Sequence, residues 1–269
     1  MSLVVVYIGL ALVMAGAWLC QRLSGNIGWV DVVWTFGTSM AAILLALAWG
    51  GGATPRGAMV SVIVAVWGLR LGLHMAFRVS RTEEDGRYRE MRQDWGQRLQ
   101  PRLFRFLQIQ ALVSTGLAAA IALAAGRPGP WPDLQDLAGI AVALIAIAGE
   151  ALADRQLSAF AAEPGNRSKV CERGLWAWSR HPNYFFEWLA WLAYPIIAIS
   201  PQSPEGALAL LAPLAMYLVL RHGTGVPPLE AHMLKSRGEA FRDYQSRVPA
   251  FFPFPPGKPG SRAEASPRA

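Results

Sequence analysis

Residues 179–189 read SRHPNYFFEWL, and the eleven that follow, AWLAYPIIAIS, carry no charge. Arg180, His181, Pro182, Asn183 and Tyr184 stand in one run at the mouth of an apolar stretch, with Glu187 just inside it. Polar groups in such a place are costly unless they are paired or bound. What they pair with is the question the chain sets.

The apolar character extends well beyond this stretch. Of 269 residues, 53% are apolar and 16% charged, with a positive mean hydropathy, whereas a soluble domain carries about a quarter charged residues. Apolar residues gather in seven stretches, roughly 3–20, 27–49, 57–77, 107–125, 134–153, 184–200 and 205–221, each near the length needed to cross about 30 Å of hydrocarbon at about 1.5 Å per residue. They are rich in Ala, Leu, Trp and Gly and lack the alternation of barrel strands. Only helices and closed barrels satisfy their own backbone in lipid, so the expectation is an all-α polytopic membrane protein with seven transmembrane helices. The first stretch has no basic leader and ends in Cys20, Gln21 and Arg22, which reads as a retained helix. Cys20 and Cys171 are two lone cysteines, too few for a disulfide framework or a zinc site.

Lysine and arginine set the expected orientation. Residues 78–105 hold eight, 154–182 five, and the segment from Arg221 onward eight, with Arg22 on the same side; the alternate loops hold only Arg56 and Arg127. The positive-inside rule then puts the N-terminus outside and the C-terminus in the cytoplasm. The net charge of +7 follows from this topology and from anionic lipid, and no motif for nucleic acid is present. Residues 1–256 read as a single domain and a monomer, with a disordered tail over 257–269, where Pro and Ser dominate. No internal repeat is evident.

Several polar residues lie in or beside the apolar stretches. Asp31 is on the second, and Arg70, His74 and Arg78 share one face of the third at a spacing of four. Glu150 and Asp154 end the fifth, and Asn183 and Glu187 begin the sixth. A charge near the bilayer centre costs on the order of 3 kcal/mol or more, which favours an interior site. The plainer alternatives are that Arg70 and Arg78 snorkel to headgroups, that Asp31 bridges to Arg70, that His74 is a satisfied interior histidine, and that Glu150 and Asp154 are a solvated helix end. The spacing of the four histidines does not suit a metal. Pro182 fits the first position of a helix, whose free N–H groups favour an anion.

SRHPNYFFE resembles the RHPNY-x-GE signature of the steroid 5-alpha-reductase-like family, in particular its bacterial seven-helix branch. VDVVW, WGLRLGLHMAFR, EDGRY, EALADRQ and PLEAHMLKSRGEAFRDYQSRVPAFFPFPP resemble the same branch, in order, from about residue 26 to 256. The resemblance implies an NADPH-dependent oxidoreductase acting on an activated C=C bond of an apolar, membrane-soluble enone, a steroid- or isoprenoid-like lipid. The bacterial branch that these motifs resemble implies a bacterial inner membrane. Asn183 and Glu187 match positions that hold the nicotinamide end. Glu150 and Asp154 match adenosine or ribose contacts, and Lys169 a phosphate contact. Arg70, Arg78, Arg180, His181, Tyr184, Glu230, Arg237 and Tyr244 fall on cofactor-side positions. Asp31 stands nearest the acid that polarises the substrate carbonyl. Two departures stand out: Phe186 replaces a Gly, and Trp67 replaces a tyrosine that helps polarise the carbonyl, which brings His74 forward as a second acid. The alternative from the same superfamily is a methyltransferase of the isoprenylcysteine carboxyl methyltransferase type, using S-adenosylmethionine. Eight arginines after the third stretch favour a polyanionic cofactor over that one.

Overall fold

In the computed structural model the described residues are 1–49, 54–81, 84–166 and 168–257; the tail expected to be disordered lies outside them from residue 258. They form ten α-helices and no strand among the described residues: α1 Leu3–Ser24, α2 Trp29–Trp49, α3 Pro55–Arg81, α4 Gly86–Trp95, α5 Leu99–Gly126, α6 Leu134–Ala162, α7 Pro182–Ala198, α8 Leu211–His222, α9 Val226–Arg237 and α10 Glu239–Arg247. Among the described residues, six helical stretches are long and apolar enough to cross a membrane: Leu3–Ser24, Trp29–Trp49, Pro55–Arg81, Gly86–Gly126, Leu134–Ala162 and Pro204–Arg237. The seventh expected span, α7, has 17 residues, about 26 Å of helix at about 1.5 Å per residue.

Helix ends moved where the apolar stretches had been used as rulers. α3 runs unbroken past Arg70, His74 and Arg78 to Arg81, and α6 continues to Ala162. Glu150 and Asp154 are therefore mid-helix and buried, which removes the solvated-end reading. Asp31 sits in the first turn of α2 rather than several residues within the span.

The described residues pack as two compact units, with the boundaries inside α6, α7 and α8 rather than in linkers. Punctuation by Pro and Gly cannot reveal such boundaries. Unit 1 comprises Met1–Ala143 and Ala190–Met216, and unit 2 Leu144–Leu189 and Tyr217–Ala269. In unit 1, α2 lies against α3 and α5, and α1 against α2 and α5. Leu45, Val60, Val64, Leu103, Leu107 and Ile121 are fully buried there. Gly68 lets α3 approach α2 closely, since a Cβ there would sit 2.1 Å from Ser39 Oγ.

At one end of unit 1 four charges close a turn. Arg56 Nε and Nη2 donate to Asp136 Oδ1 and Oδ2 at 2.8 and 2.9 Å, and Arg127 Nη2 donates to Asp136 Oδ1 at 3.0 Å and Asp133 Oδ1 at 2.8 Å. Arg56 also donates to the carbonyls of Arg127 and Pro130. Asp136 is fully buried and Arg56 and Arg127 nearly so. The Arg127 hydrogen bond holds the Asp133 carboxyl well below the usual range, against a smaller opposing effect of burial.

Replacing Asp136 by Ala takes from the buried Arg56 guanidinium its close carboxylate and leaves Arg127 with Asp133 and Gln135. We expect a loss of about 3–5 kcal/mol, the cost of breaking a buried pair, read as a lower melting temperature in detergent. Because the folded-state pKa of Asp133 is depressed, its contribution is present above its unfolded pKa of about 3.9. It is lost as pH falls through the folded value, so wild-type melting temperature should drop on acidification below about pH 4, and less so in Asp133→Asn.

Candidate functional site

Unit 2 answers what the opening motif pairs with. The Arg180 guanidinium donates through Nε and Nη2 to the two oxygens of Glu230 at 2.7 and 3.1 Å, and through Nη1 to the carbonyls of Gln245 and Val248 at 3.2 and 2.6 Å. Gln245 Nε2 donates to Glu230 Oε2 at 2.7 Å. The backbone closes the same seam: Arg180 N donates to Pro249 O and Phe254 N to Trp178 O, at 2.9 and 3.0 Å. Ser179 Oγ adds a bond to Phe251 O at 2.8 Å. Tyr244, buried on α10, donates to Trp176 O and Ser179 O, and burial pushes its phenol well above the ordinary range. The motif loop is thus bound to α9, α10 and the tail. Arg180, expected among the cofactor ligands, is largely committed to this seam.

His181 is the exception within the knot. It is buried at 3% exposure and stacks on Tyr184 with ring centroids 5.6 Å apart. Burial pulls its pKa below the ordinary value, and the hydrogen bond to Glu230 only partly offsets this. A neutral ring is therefore favoured, with Nε2–H donating to Glu230 Oε1 at 3.0 Å. Nδ1 is then a bare lone pair, and among the described residues nothing hydrogen-bonds to it. A buried acceptor without a donor is rare in folded proteins and calls for an explanation.

Beside it α6 and α7 contribute further polar groups. Asn183 Nδ2 donates to Asp154 Oδ1 at 3.3 Å, and Glu150, Asp154 and Glu187 are each under 9% exposed. Phe186 lies over Gly149: a Cβ on that glycine would come within 2.4 Å of the ring. The bulky ring is absorbed by a missing side chain on α6. Lys169 is exposed, and its carbonyl accepts from Arg237 Nε at 3.2 Å. An aromatic group of Trp188, Tyr217, Phe251 and Phe252, with centroids 5.4–6.2 Å apart, seats the tail.

Unit 1 holds the other expected residues. Asp31 Oδ2 accepts from Arg87 Nη2 at 2.9 Å and its Oδ1 from Tyr88 OH at 2.6 Å. Arg87 and Arg78 also bind Asp85, whose carboxyl burial tends to raise but whose two arginines bring below its ordinary value. Asp31 thus accepts on both oxygens, so donating a proton of its own, the role expected for it, requires this arrangement to open. Trp67 is buried edge-to-face between Trp34 and Trp191, 6.3 and 5.3 Å away. Arg70 and His74 are partly buried on α3. Sequence reading missed Tyr88 and Arg87 as partners of Asp31, although EDGRY had been singled out; the signal was a tyrosine next to an arginine just past a helix bearing cations. Nothing in the sequence marked Gln245.

Long apolar helices that bury paired carboxylates, guanidinium groups and an imidazole define an integral membrane protein of the all-helical class. The family model described as "Protein of unknown function (DUF1295)" matches residues 17–248, and the chain belongs to that family. No match was found among curated proteins or among solved structures.

If the Arg180–Glu230 pair fastens the tail, Arg180→Ala leaves a half-buried carboxylate without its cation, at a cost of about 3 kcal/mol. Limited proteolysis of the detergent-solubilised protein should then cut within residues 247–257 at least about tenfold faster than wild type.

Proposed function

We propose that the protein is an NADPH-dependent reductase of an activated C=C bond in an apolar, membrane-dissolved enone, with seven spans, the N-terminus outside and the cofactor taken from the cytoplasm. The observation that carries the reading is the buried polar group set of unit 2, above all the partnerless His181 Nδ1. A buried acceptor beside an amide and carboxylates fits a ligand that offers N–H groups and accepts hydrogen bonds, as the nucleotide's carboxamide does. The motif resemblance places the same residues on the cofactor side.

In this reading Asn183, Glu187 and His181 hold the nicotinamide end, Glu150 and Asp154 the ribose or adenosine, and Lys169 with Arg237 the phosphates. NADPH, when bound, supplies the hydride. Asn183 donates and Glu187 accepts one helical turn apart, which sets the orientation of an amide. In unit 1 the proton shared by Tyr88 and Asp31 is the one available to a substrate carbonyl oxygen as negative charge develops there. Arg87 keeps the Asp31 carboxylate in place. Trp67, a donor only, shapes the apolar wall, and His74 is the next proton source along α3. Arg70 and Arg78 supply positive charge on the same helix. The substrate enters from the bilayer.

Calorimetric titration in detergent tests the cofactor. Asn183→Ala or Glu187→Ala should weaken NADPH binding by about 1–3 kcal/mol. Tight S-adenosylmethionine binding with none of NADPH would instead establish the methyltransferase reading. For the chemistry, Tyr88→Phe and Asp31→Asn should each lower turnover of an accepted enone about 10²-fold, with NADPH affinity nearly unchanged. The double variant should lose little more than either single one, because the two groups act as a unit. Wild-type turnover in both single variants removes the pair from the mechanism.

A further inference from the structure

Outside the candidate site, an open groove of about 530 Å³ lies between the end of α1 and the start of α5, lined by Trp18, Gln100, Pro101, Phe104 and Arg105. The two helices run antiparallel here. Gln21 Nε2 donates to Gln100 Oε1 at 2.9 Å, Trp18 Nε1 to Gln100 O at 3.3 Å and Gln108 Nε2 to Ala11 O at 3.4 Å. These bonds consume the polar groups at the groove floor. What faces outward is almost wholly carbon: the Trp18 and Phe104 rings, edge-to-face at 5.6 Å, and Pro101.

Two arginines flank this apolar patch, Arg22 over the Trp18 ring and Arg105 in the groove lining, and neither pairs with a carboxylate among the described residues. The other arginines of unit 1 with described partners behave differently: Arg56, Arg78, Arg87, Arg92 and Arg127 each bind an acid. Arg22 lies over the Trp18 ring, 4.9 Å from its centre, and Arg105 donates only a long bond of 3.4 Å to Pro101 O. Both guanidinium groups are thus held at the groove rim with N–H donors to spare. Arginine's planar fork suits phosphate oxygens, and basic pockets between membrane helices bind anionic headgroups.

We propose that this groove is a binding site for an anionic phospholipid, one acyl chain lying on Trp18, Pro101 and Phe104 and the headgroup phosphate held by Arg22 and Arg105. A free phosphate has no use for the apolar floor, and a zwitterionic lipid offers the rim a cation beside its anion. The inference does not depend on the reductase reading.

Native mass spectrometry of the full-length protein tests it, with dioleoylphosphatidylglycerol and dioleoylphosphatidylcholine titrated separately into the detergent. We expect the first lipid to bind at least about tenfold more tightly than the second. The double variant Arg22→Gln/Arg105→Gln should lose that preference. Arg242→Gln removes an exposed charge on α10, distant in sequence and paired with Glu239, and should keep it. Phe104→Asn, which spoils the floor and leaves the charges, should weaken both lipids and leave inorganic phosphate unaffected. Equal binding of the two lipids by wild type, or an undiminished preference in the double variant, overturns the proposal. If the double variant does not fold, the Phe104→Asn result decides alone: unchanged lipid binding overturns it, weakened binding supports it.

Discussion

A charge carried on a membrane helix has to bring its own counter-charge, because lipid supplies none and water is distant. That constraint organises the buried ion pairs described above. Arg56 and Arg127 share Asp136 and Asp133; Asp31 is held between Arg87 and Tyr88; Arg180 is matched to Glu230. Except for Arg127, which binds carboxylates six and nine positions on, the partners come from segments at least fifty positions apart, so the pair also fixes which segments lie together. Packing of Ala- and Leu-rich surfaces has little directional preference, and the hydrogen-bonded pairs supply it.

The three pairs differ in what they hold. The Arg56–Asp136 group binds the ends of three helices through short side chains and backbone carbonyls, leaving no oxygen of Asp136 to spare. It is a structural tie in which the carboxylate is fully used, although Arg127 Nε has no partner among the described residues. The Arg180–Glu230 pair leaves one partner incomplete, since the same carboxylate also takes the Nε2–H of His181 and thereby exposes the other imidazole nitrogen as an acceptor. Tyr88 and Asp31 leave a short phenol–carboxylate contact in the first turns of α4 and α2. The first kind of pair explains stability, and the other two leave chemistry available.

The helical, membrane-embedded class was legible because twenty apolar residues in a row have few other uses, and α1, α2 and α3 fall close to where hydropathy put them. Helix ends were less legible. No continuous apolar run marks the last turns of α3 and α6, where charged and polar residues such as Arg78, Arg81, Asp154, Arg155 and Gln156 interrupt the hydropathy while the helix continues. The residues of the opening motif were found because their clustering is local. The partners of Asp31 were not, because residues 87 and 88 lie more than fifty positions away and reach it only through the turn after α3. The division into two units escaped sequence reading for the same reason: it cuts through helices, where no breaker residue signals it.

The contact between Phe186 and Gly149 has a consequence for how the family can vary. The ring occupies the volume that any side chain on residue 149 would need, so the two positions share one allotment of space. A relative with glycine at the position of Phe186 is released from the demand for glycine on α6 and can carry a methyl group or more there, while one with an aromatic ring cannot. The two positions are therefore coupled across neighbouring helices: an aromatic ring at residue 186 in this pose requires that residue 149 carry no side chain.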